Sequence, residues 1–242
     1  MWMMPISEAE VFEMQDKVSD AREALSLSEL VYRKLRDSIV NGVYPPGSML
    51  RQVEVAETLG VSRNPLREAL PRLESEGIVI LFPRRGYAVA TLEPGEIEDV
   101  FDLRILIETH LVRRSAKLRT KRDSDHAKNI VSEMAALAAQ AEIVDRAQWF
   151  DMNLKFHDAL MQPANRPHHL KALKQSRGAL EVYIRTEVRL TGDLRQAQRE
   201  HAAMAKAFIA GDADRLVELT RKHSEHTRDR LLQGLARAAD KD

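Results

Sequence analysis

The fold of this chain is decided by residues 54–70, which read EVAETLGVSRNPLREAL. The segment predicts two short helices joined by a tight turn, because the small residue Ala56 permits close helix approach and Gly60 supplies the turn. The second helix is expected to begin after Ser62, which can cap its first turn. Pro65 is tolerated in that turn, where a missing backbone N–H costs little. The apolar residues expected to face the first helix are Val61, Leu66, Ala69 and Leu70.

This helix-turn-helix carries arginines where a nucleic-acid contact would need them. Arg63 and Arg67 are four residues apart, so they share one face at the end of the second helix that would enter a major groove. Each guanidinium can bond bidentately to guanine, with about 1–3 kcal/mol of discrimination per good pair. Arg51, ahead of the first helix, is a candidate phosphate contact. The candidate DNA-binding residues of this motif are Arg51, Ser62, Arg63, Asn64 and Arg67.

A predicted hairpin follows the two helices. The apolar segments 78–82 and 87–91 flank Pro83-Arg84-Arg85-Gly86, which is typical of a turn between two strands. Arg84, Arg85 and Gly86 would then form the tip of a wing, with cations against phosphate or the minor groove. In the alternative interpretation, residues 54–70 are a surface helix pair whose arginines only keep it soluble. The adjoining wing favours DNA binding.

The remaining pattern predicts a mostly α-helical protein. Residues 27–91 hold three short helices and the hairpin, a winged helix-turn-helix domain, and residues 95–236 hold an all-α bundle of about six helices. Residues 1–26 are polar and rich in acidic side chains, and we interpret them as an N-terminal arm or helix.

Composition excludes several classes of protein. The 242 residues contain 37 basic and 37 acidic side chains, and this zero net charge argues against a uniformly basic nucleic-acid surface. The absence of cysteine excludes disulfides and thiolate metal sites. The longest apolar run is five residues, 78–82, far below the roughly 20 that a transmembrane helix needs. With no targeting signal at the start, we expect a soluble, cytoplasmic protein without a membrane partner.

Histidines form a second candidate site. Asn153 and His157 are four apart on the helix predicted over residues 145–162, so they share a face, as metal ligands on one helix must. His201 and His223 fall in apolar-periodic stretches of the last two predicted helices. Three imidazoles and an oxygen donor suit a divalent transition metal, zinc in the first place, with nickel, manganese or iron as alternatives. The alternative interpretation is a set of scattered core or surface histidines.

Several motifs together resemble the GntR family of bacterial transcription regulators. They are LRDSIVNG (35–42), PPG (45–47), GVSRNPLREAL (60–70), LESEG (73–77) and RRG (84–86). The helical remainder is similar to the FCD-type effector domain of the FadR subfamily. Two residues depart from the family pattern: Asn64, where threonine is common, and Pro71, which should kink the second helix of the motif.

The resemblance also implies ligand-binding residues. Many members of the subfamily carry an aspartate and three histidines at positions like those above, and here the aspartate position is Asn153. Asp151 cannot replace it simply, because six residues before His157 it points to roughly the opposite side of the helix. Arg104 resembles the subfamily arginine that can meet an effector carboxylate. Its alternative role is an i, i+4 ion pair with Glu108.

The leading functional hypothesis is a DNA-binding transcription regulator, a repressor and not an enzyme, that binds a small organic acid through a metal. We expect a homodimer on a palindromic operator, because one helix-turn-helix domain covers only a half-site. A metal-dependent hydrolase using the three histidines is the alternative, although no His-Glu-x-x-His motif supplies a general base. A metal-sequestering or purely structural helical protein is a third possibility.

Overall fold

The computed structural model describes residues 27–139, 143–191 and 194–239. The chain divides into two compact units between Ala90 and Thr91. The segment 1–26, which we interpreted as an arm or helix, lies outside the described residues.

The N-terminal unit combines three helices with a small antiparallel sheet. Its elements are α1 (27–40), β1 (Met49–Leu50), α2 (Gln52–Leu59), α3 (Arg63–Ser75), β2 (Val79–Phe82) and β3 (Gly86–Val89). The helices begin and end close to where the sequence pattern places them. The predicted winged helix-turn-helix is therefore confirmed.

The sheet differs from the predicted two-stranded hairpin. The strands β2 and β3 pair around the turn, but β1 also pairs antiparallel with β3, with Leu50 opposite Tyr87 and strand order β1-β3-β2. The sequence pattern missed β1 because two residues are too few to show an alternation of apolar and polar side chains. Leu50 is buried, so β1 closes the sheet onto the helices.

The turn of the helix-turn-helix has the expected form, with one local correction. Gly60 ends α2 in the left-handed conformation at φ 67°, and Leu66 and Leu70 are buried as predicted. Ser62 occupies the N-cap position of α3, but its side chain makes no capping hydrogen bond. The helix α3 runs through Pro71 to Ser75, and the kink expected at this proline stays a prediction.

One arginine of the N-terminal unit holds α1 and α3 together. The Arg72 guanidinium lies 3.6 Å from the centre of the Tyr32 ring and forms an ion pair with Glu29. The Tyr32 hydroxyl donates to the Glu76 carboxylate at 2.8 Å. Burial, together with Glu76, raises the pKa of Tyr32 to about 12. Through these contacts Arg72 connects α3 to α1.

The C-terminal unit is an all-helical bundle, as predicted. Its described helices are α4 (Pro94–Leu118), α5 (Lys121–Ala139), α6 (Ile143–Met161), α7 (Pro167–Thr191), α8 (Arg195–Ala210) and α9 (Ala213–Ala239), with a 3-10 turn at Gln162–Ala164. Among the described helices, none combines the length and apolarity that crossing a bilayer requires.

Aromatic side chains form the centre of this bundle. Phe156 on α6 and Phe208 on α8 are fully buried in one large apolar cluster with Met134 of α5 and Leu111 of α4. A second cluster joins Phe101 of α4 to α7 and α9. The helices α6, α8 and α9 are thereby held with their inner faces together, which positions the histidines described below.

We expect Gly60→Ala to lower the free energy of unfolding of the N-terminal unit by about 1–2 kcal/mol, the cost of a left-handed backbone for a residue with a Cβ. A Cβ at Gly60 would meet no atom within 4 Å, so the effect isolates the backbone. The matched control is Gly95→Ala, which adds a Cβ in open space near the start of α4, where no positive φ is needed. Urea unfolding of the full chain measures both, and equal effects would contradict the argument.

Candidate DNA-binding surface and metal site

The start of α3 presents two free arginines. Arg63 is the first residue of α3 and Arg67 lies one turn later, and both side chains are exposed. Within the part of the chain that the structure describes, neither has an ion-pair or hydrogen-bond partner. Ser62 and Asn64 are also exposed beside them. This end of α3 therefore offers two uncompensated guanidiniums to an anionic partner.

The tip of the hairpin adds two further cations. Arg84 adopts a left-handed backbone at φ 65°, and the Arg85 N–H donates to the Phe82 carbonyl at 3.0 Å, which closes the turn. Both arginine side chains are exposed, whereas Gly86, where β3 begins, is half-buried. Arg51 forms an exposed ion pair with Glu54 at 3.0 Å. Such pairs are weak and do not prevent a phosphate contact.

Three histidines from three helices converge in the C-terminal unit. His157 of α6, His201 of α8 and His223 of α9 are buried, and one ring nitrogen of each lies within 4.8 Å of the others. The Nε2 atoms of His201 and His223 are 3.3 Å apart. Two nitrogen ligands of a tetrahedral zinc ion at 2.0–2.1 Å would be separated by about the same distance, ~3.3 Å. The cluster therefore fits a metal ion.

Asn153 is the fourth member of this arrangement. It lines the same cavity as the histidines, and its Oδ1 is buried with no hydrogen-bond partner among the described residues. An unpaired buried oxygen costs about 1–3 kcal/mol, which a bound cation would offset. Asp151 lies elsewhere, as the helical spacing predicts. Its side chain is exposed and pairs with Arg185 at 2.7 Å. The residues present thus fit a site of three imidazoles and one neutral oxygen.

Aromatic side chains flank this cluster. The rings of Trp149 and Phe156 lie 5.7 Å and 5.1 Å from the His201 ring, centre to centre. Burial, reinforced by the neighbouring imidazoles, holds the pKa of His157 and of His201 well below its usual value. These two imidazoles are therefore held in the neutral form, which is the form that binds a metal.

A carboxylate outside the cluster orients one of the histidines. The Nδ1 of His223 lies 2.7 Å from Glu200, so Nδ1 donates to this carboxylate and Nε2, which lies 3.3 Å from His201, is the nitrogen placed to bind a metal. The same carboxylate contacts His226 at 2.7 Å. Burial acts to raise the pKa of Glu200, but the hydrogen bonds to His223 and His226 lower it to about 2.

No pattern in the sequence indicated the role of Glu200. Its partner His223 is 23 residues away on another helix, so no helical spacing connects them. The only signal was an acidic residue next to His201, and neighbouring residues on a helix point in different directions.

Arg104 forms the ion pair considered for it and also lines the cavity, while its contact with an effector stays a prediction. It forms the expected ion pair with Glu108 at 3.2 Å, but the pair is buried rather than on the surface, with Arg104 8% and Glu108 1% exposed. Glu108 also accepts from Arg177 at 3.0 Å. Burial acts to raise the pKa of Glu108, yet the two guanidiniums lower it to about 2. Arg104 therefore faces the cavity with its charge already compensated.

The cavity has room for a small ligand beside the histidines. Its volume is about 70 Å³, enough for roughly five water-sized groups. Its polar lining consists of His157, His201, His223, Asn153, Thr227, Glu181, Arg104, Arg177 and Arg230. The apolar lining includes Trp149, Phe150 and Ile184. This lining combines metal-ligating nitrogens with guanidiniums, which suits a small acid.

Both units match known protein families. Residues 27–89 match the gntR family of bacterial regulatory proteins, and residues 99–226 match the FCD domain. The chain belongs to the GntR family. It is a helix-turn-helix transcription regulator with a DNA-binding domain followed by an FCD domain.

Relatives along most of the chain agree with this assignment. The transcriptional repressor GlaR of Escherichia coli is 28% identical over 202 residues, which cover 79% of this regulator and 90% of GlaR. A GntR family regulator from Pseudomonas syringae is 26% identical, with a TM-score of 0.55 and 89% of each chain covered. E. coli McbR/YncC shares the fold, with a TM-score of 0.73 at 19% identity over 86% of this chain and 97% of its own. GlaR and the Pseudomonas syringae protein are both transcription regulators by name.

We expect Glu200→Gln to weaken zinc binding by about 10- to 100-fold, the loss usual when the hydrogen-bond partner of a ligating histidine is removed. The matched control is Glu218→Gln on α9, an exposed residue that pairs with Lys222 and Arg215. Competition against a chromophoric chelator measures both affinities. An unchanged affinity in Glu200→Gln would show that this carboxylate does not orient the site.

Proposed function

We propose that this GntR regulator is a repressor that binds a palindromic operator as a homodimer and is released by a small organic acid. The acid would bind together with a divalent metal in the FCD domain. The observation that carries this proposal is the cluster of three buried imidazoles next to the Asn153 oxygen, which has no partner among the described residues, in a cavity that guanidiniums also line.

The DNA half of the proposal rests on the exposed arginines. Arg63 and Arg67 have no partner within the described residues and lie at the end of α3 that enters a major groove in helix-turn-helix proteins. Arg84 and Arg85 at the hairpin tip would contact phosphate or the minor groove, with Arg51 on a phosphate. Ser62, Asn64 and Gly86 complete the proposed surface. Because the net charge is zero, specificity would depend on these few residues.

The ligand half of the proposal rests on charge. His157, His201, His223 and Asn153 would hold the metal, and all four are neutral donors. A bound divalent cation supplies a positive charge that attracts a carboxylate oxygen. Zinc suits the donor set best, and nickel, manganese and iron also bind imidazole. Arg104 lines the same cavity and would face the acid.

Coupling between the ligand and DNA requires a difference between two states. An acid can release the operator only if it binds the state of low DNA affinity more tightly than the other state. The proposed metal would join α6, α8 and α9, so ligand binding would bias the arrangement of these three helices. The alternative function, a metal-dependent hydrolase, gains no support from the comparisons, since the relatives are regulators.

We expect Arg63→Ala and Arg67→Ala each to weaken operator binding by about 10- to 100-fold, because each removes a bidentate contact to a base. Arg84→Ala should instead weaken binding to all sequences and reduce the salt dependence by about one counterion. The control is Arg33→Ala, an exposed arginine of α1 that pairs with Glu29. Gel-shift titrations of an upstream promoter fragment at several salt concentrations measure these effects. If the wild type shifts no fragment at any salt concentration, the proposed function is wrong.

We expect His157→Ala to lose bound metal while it still binds the operator. The wild type should release the operator when an organic acid is added, and a chelator should abolish this release. In His157→Ala the acid should have no effect, because a ligand of the metal is missing.

The matched control is His168→Ala, which removes an exposed histidine at the start of α7. Metal analysis of the purified proteins checks the site, and equal metal content in both variants would remove His157 from the ligands.

A further inference from the structure

Arg230 is a further arginine that lines the cavity. It lies on α9 two helical turns after His223 and one after Thr227, so all three share a face of the helix. The Arg230 Nη2 donates to the Thr227 hydroxyl at 3.4 Å. Its Nη1 is buried and has no hydrogen-bond partner within the described part of the chain. A buried guanidinium nitrogen in this position favours the binding of an acceptor, and a carboxylate is the strongest acceptor for it.

The other arginines near the cavity are already compensated. Arg104 pairs with Glu108, and Arg177 pairs with both Glu108 and Asp158. Arg185 pairs with Glu181 and Asp151. Among the described residues, no carboxylate pairs with Arg230. Within the described residues, the cavity guanidinium that an acid would meet without a carboxylate partner is therefore that of Arg230 and not that of Arg104.

Arg230 lines the same cavity as the histidine cluster. A divalent metal held by neutral ligands would add two further positive charges close to this guanidinium. Asn153 brings no negative charge where an aspartate would, and Glu200 reaches the cluster only through His223. Glu181 also lines the cavity, but it pairs with Arg185. A ligand with a single negative charge would neutralise only one of the three positive charges carried by the metal and Arg230.

We propose that Arg230 binds a second carboxylate of the effector, so that this regulator responds to short dicarboxylic acids. This inference rests on the proposed function, in which a metal and an acid share the cavity. One carboxylate lies at the metal, and the other accepts hydrogen bonds from the Arg230 guanidinium, with Thr227 holding that guanidinium in place. The cavity volume of about 70 Å³ favours an acid with a short chain.

The test uses the full-length, zinc-loaded protein and isothermal titration with acids matched in carbon number. The pairs are malonate and propionate, succinate and butyrate, and glutarate and valerate. The wild type should bind at least one dicarboxylate about tenfold or more tightly than its monocarboxylate partner. Arg230→Gln should weaken that dicarboxylate by about 10- to 100-fold, as for the loss of one charge-assisted pair, and leave the monocarboxylate within about twofold.

Two further variants keep the result interpretable. Arg230→Lys keeps the charge without the planar fork and should fall between the wild type and Arg230→Gln. Arg221→Gln removes an exposed arginine of the same helix and should match the wild type. The zinc content of all variants should equal that of the wild type, which separates a ligand contact from a damaged site.

Three results would overturn the inference. If Arg230→Gln and Arg230→Lys bind dicarboxylates as tightly as the wild type, Arg230 is not the anchor, although the proposed function stands. If the wild type binds the matched mono- and dicarboxylates equally, the effector is not a dicarboxylate. If the zinc-loaded wild type binds no acid at all, the proposed function is wrong, and this inference, which rests on it, is wrong as well.

Discussion

Burial of three imidazoles side by side is the constraint on which the candidate site depends. His157, His201 and His223 come from three different helices, and they can meet only because apolar packing brings α6, α8 and α9 together. The same burial lowers the pKa of His157 and of His201, so the nitrogen lone pairs of these two residues stay available. Glu200 then sets which nitrogen of His223 faces the cluster.

A second constraint is how positive charge is compensated around the cavity. Glu108 is shared between Arg104 and Arg177. Burying these three charged groups costs desolvation free energy, and the contact of both guanidiniums with the same carboxylate offsets that cost. The pairing leaves Arg230 as the cavity arginine without a carboxylate partner among the described residues. The chemistry of the proposed ligand follows from this distribution of charge rather than from the number of arginines.

Local elements were predictable because their signals are short in sequence. The helix α2 ends at Gly60, where a left-handed turn was expected, and α3 begins directly after Ser62. The strand β1 was missed because its two residues carry no periodicity, and its partner β3 is more than 30 residues further on. The side chain of Ser62 does not make the cap that its position predicted. Position along a helix is thus easier to infer than the hydrogen bond a side chain makes.

The sequence alone determined the winged helix-turn-helix, the arginines at the start of α3 and the set of candidate metal ligands. These depend on spacing within one helix or hairpin and on motifs that need no distant partner. The tertiary structure decided that Arg104 is buried and paired, that Glu200 orients His223, and that Arg230 keeps an unpaired nitrogen in the cavity. Each of these depends on burial and on pairing between helices, and neither leaves a periodic trace along the chain.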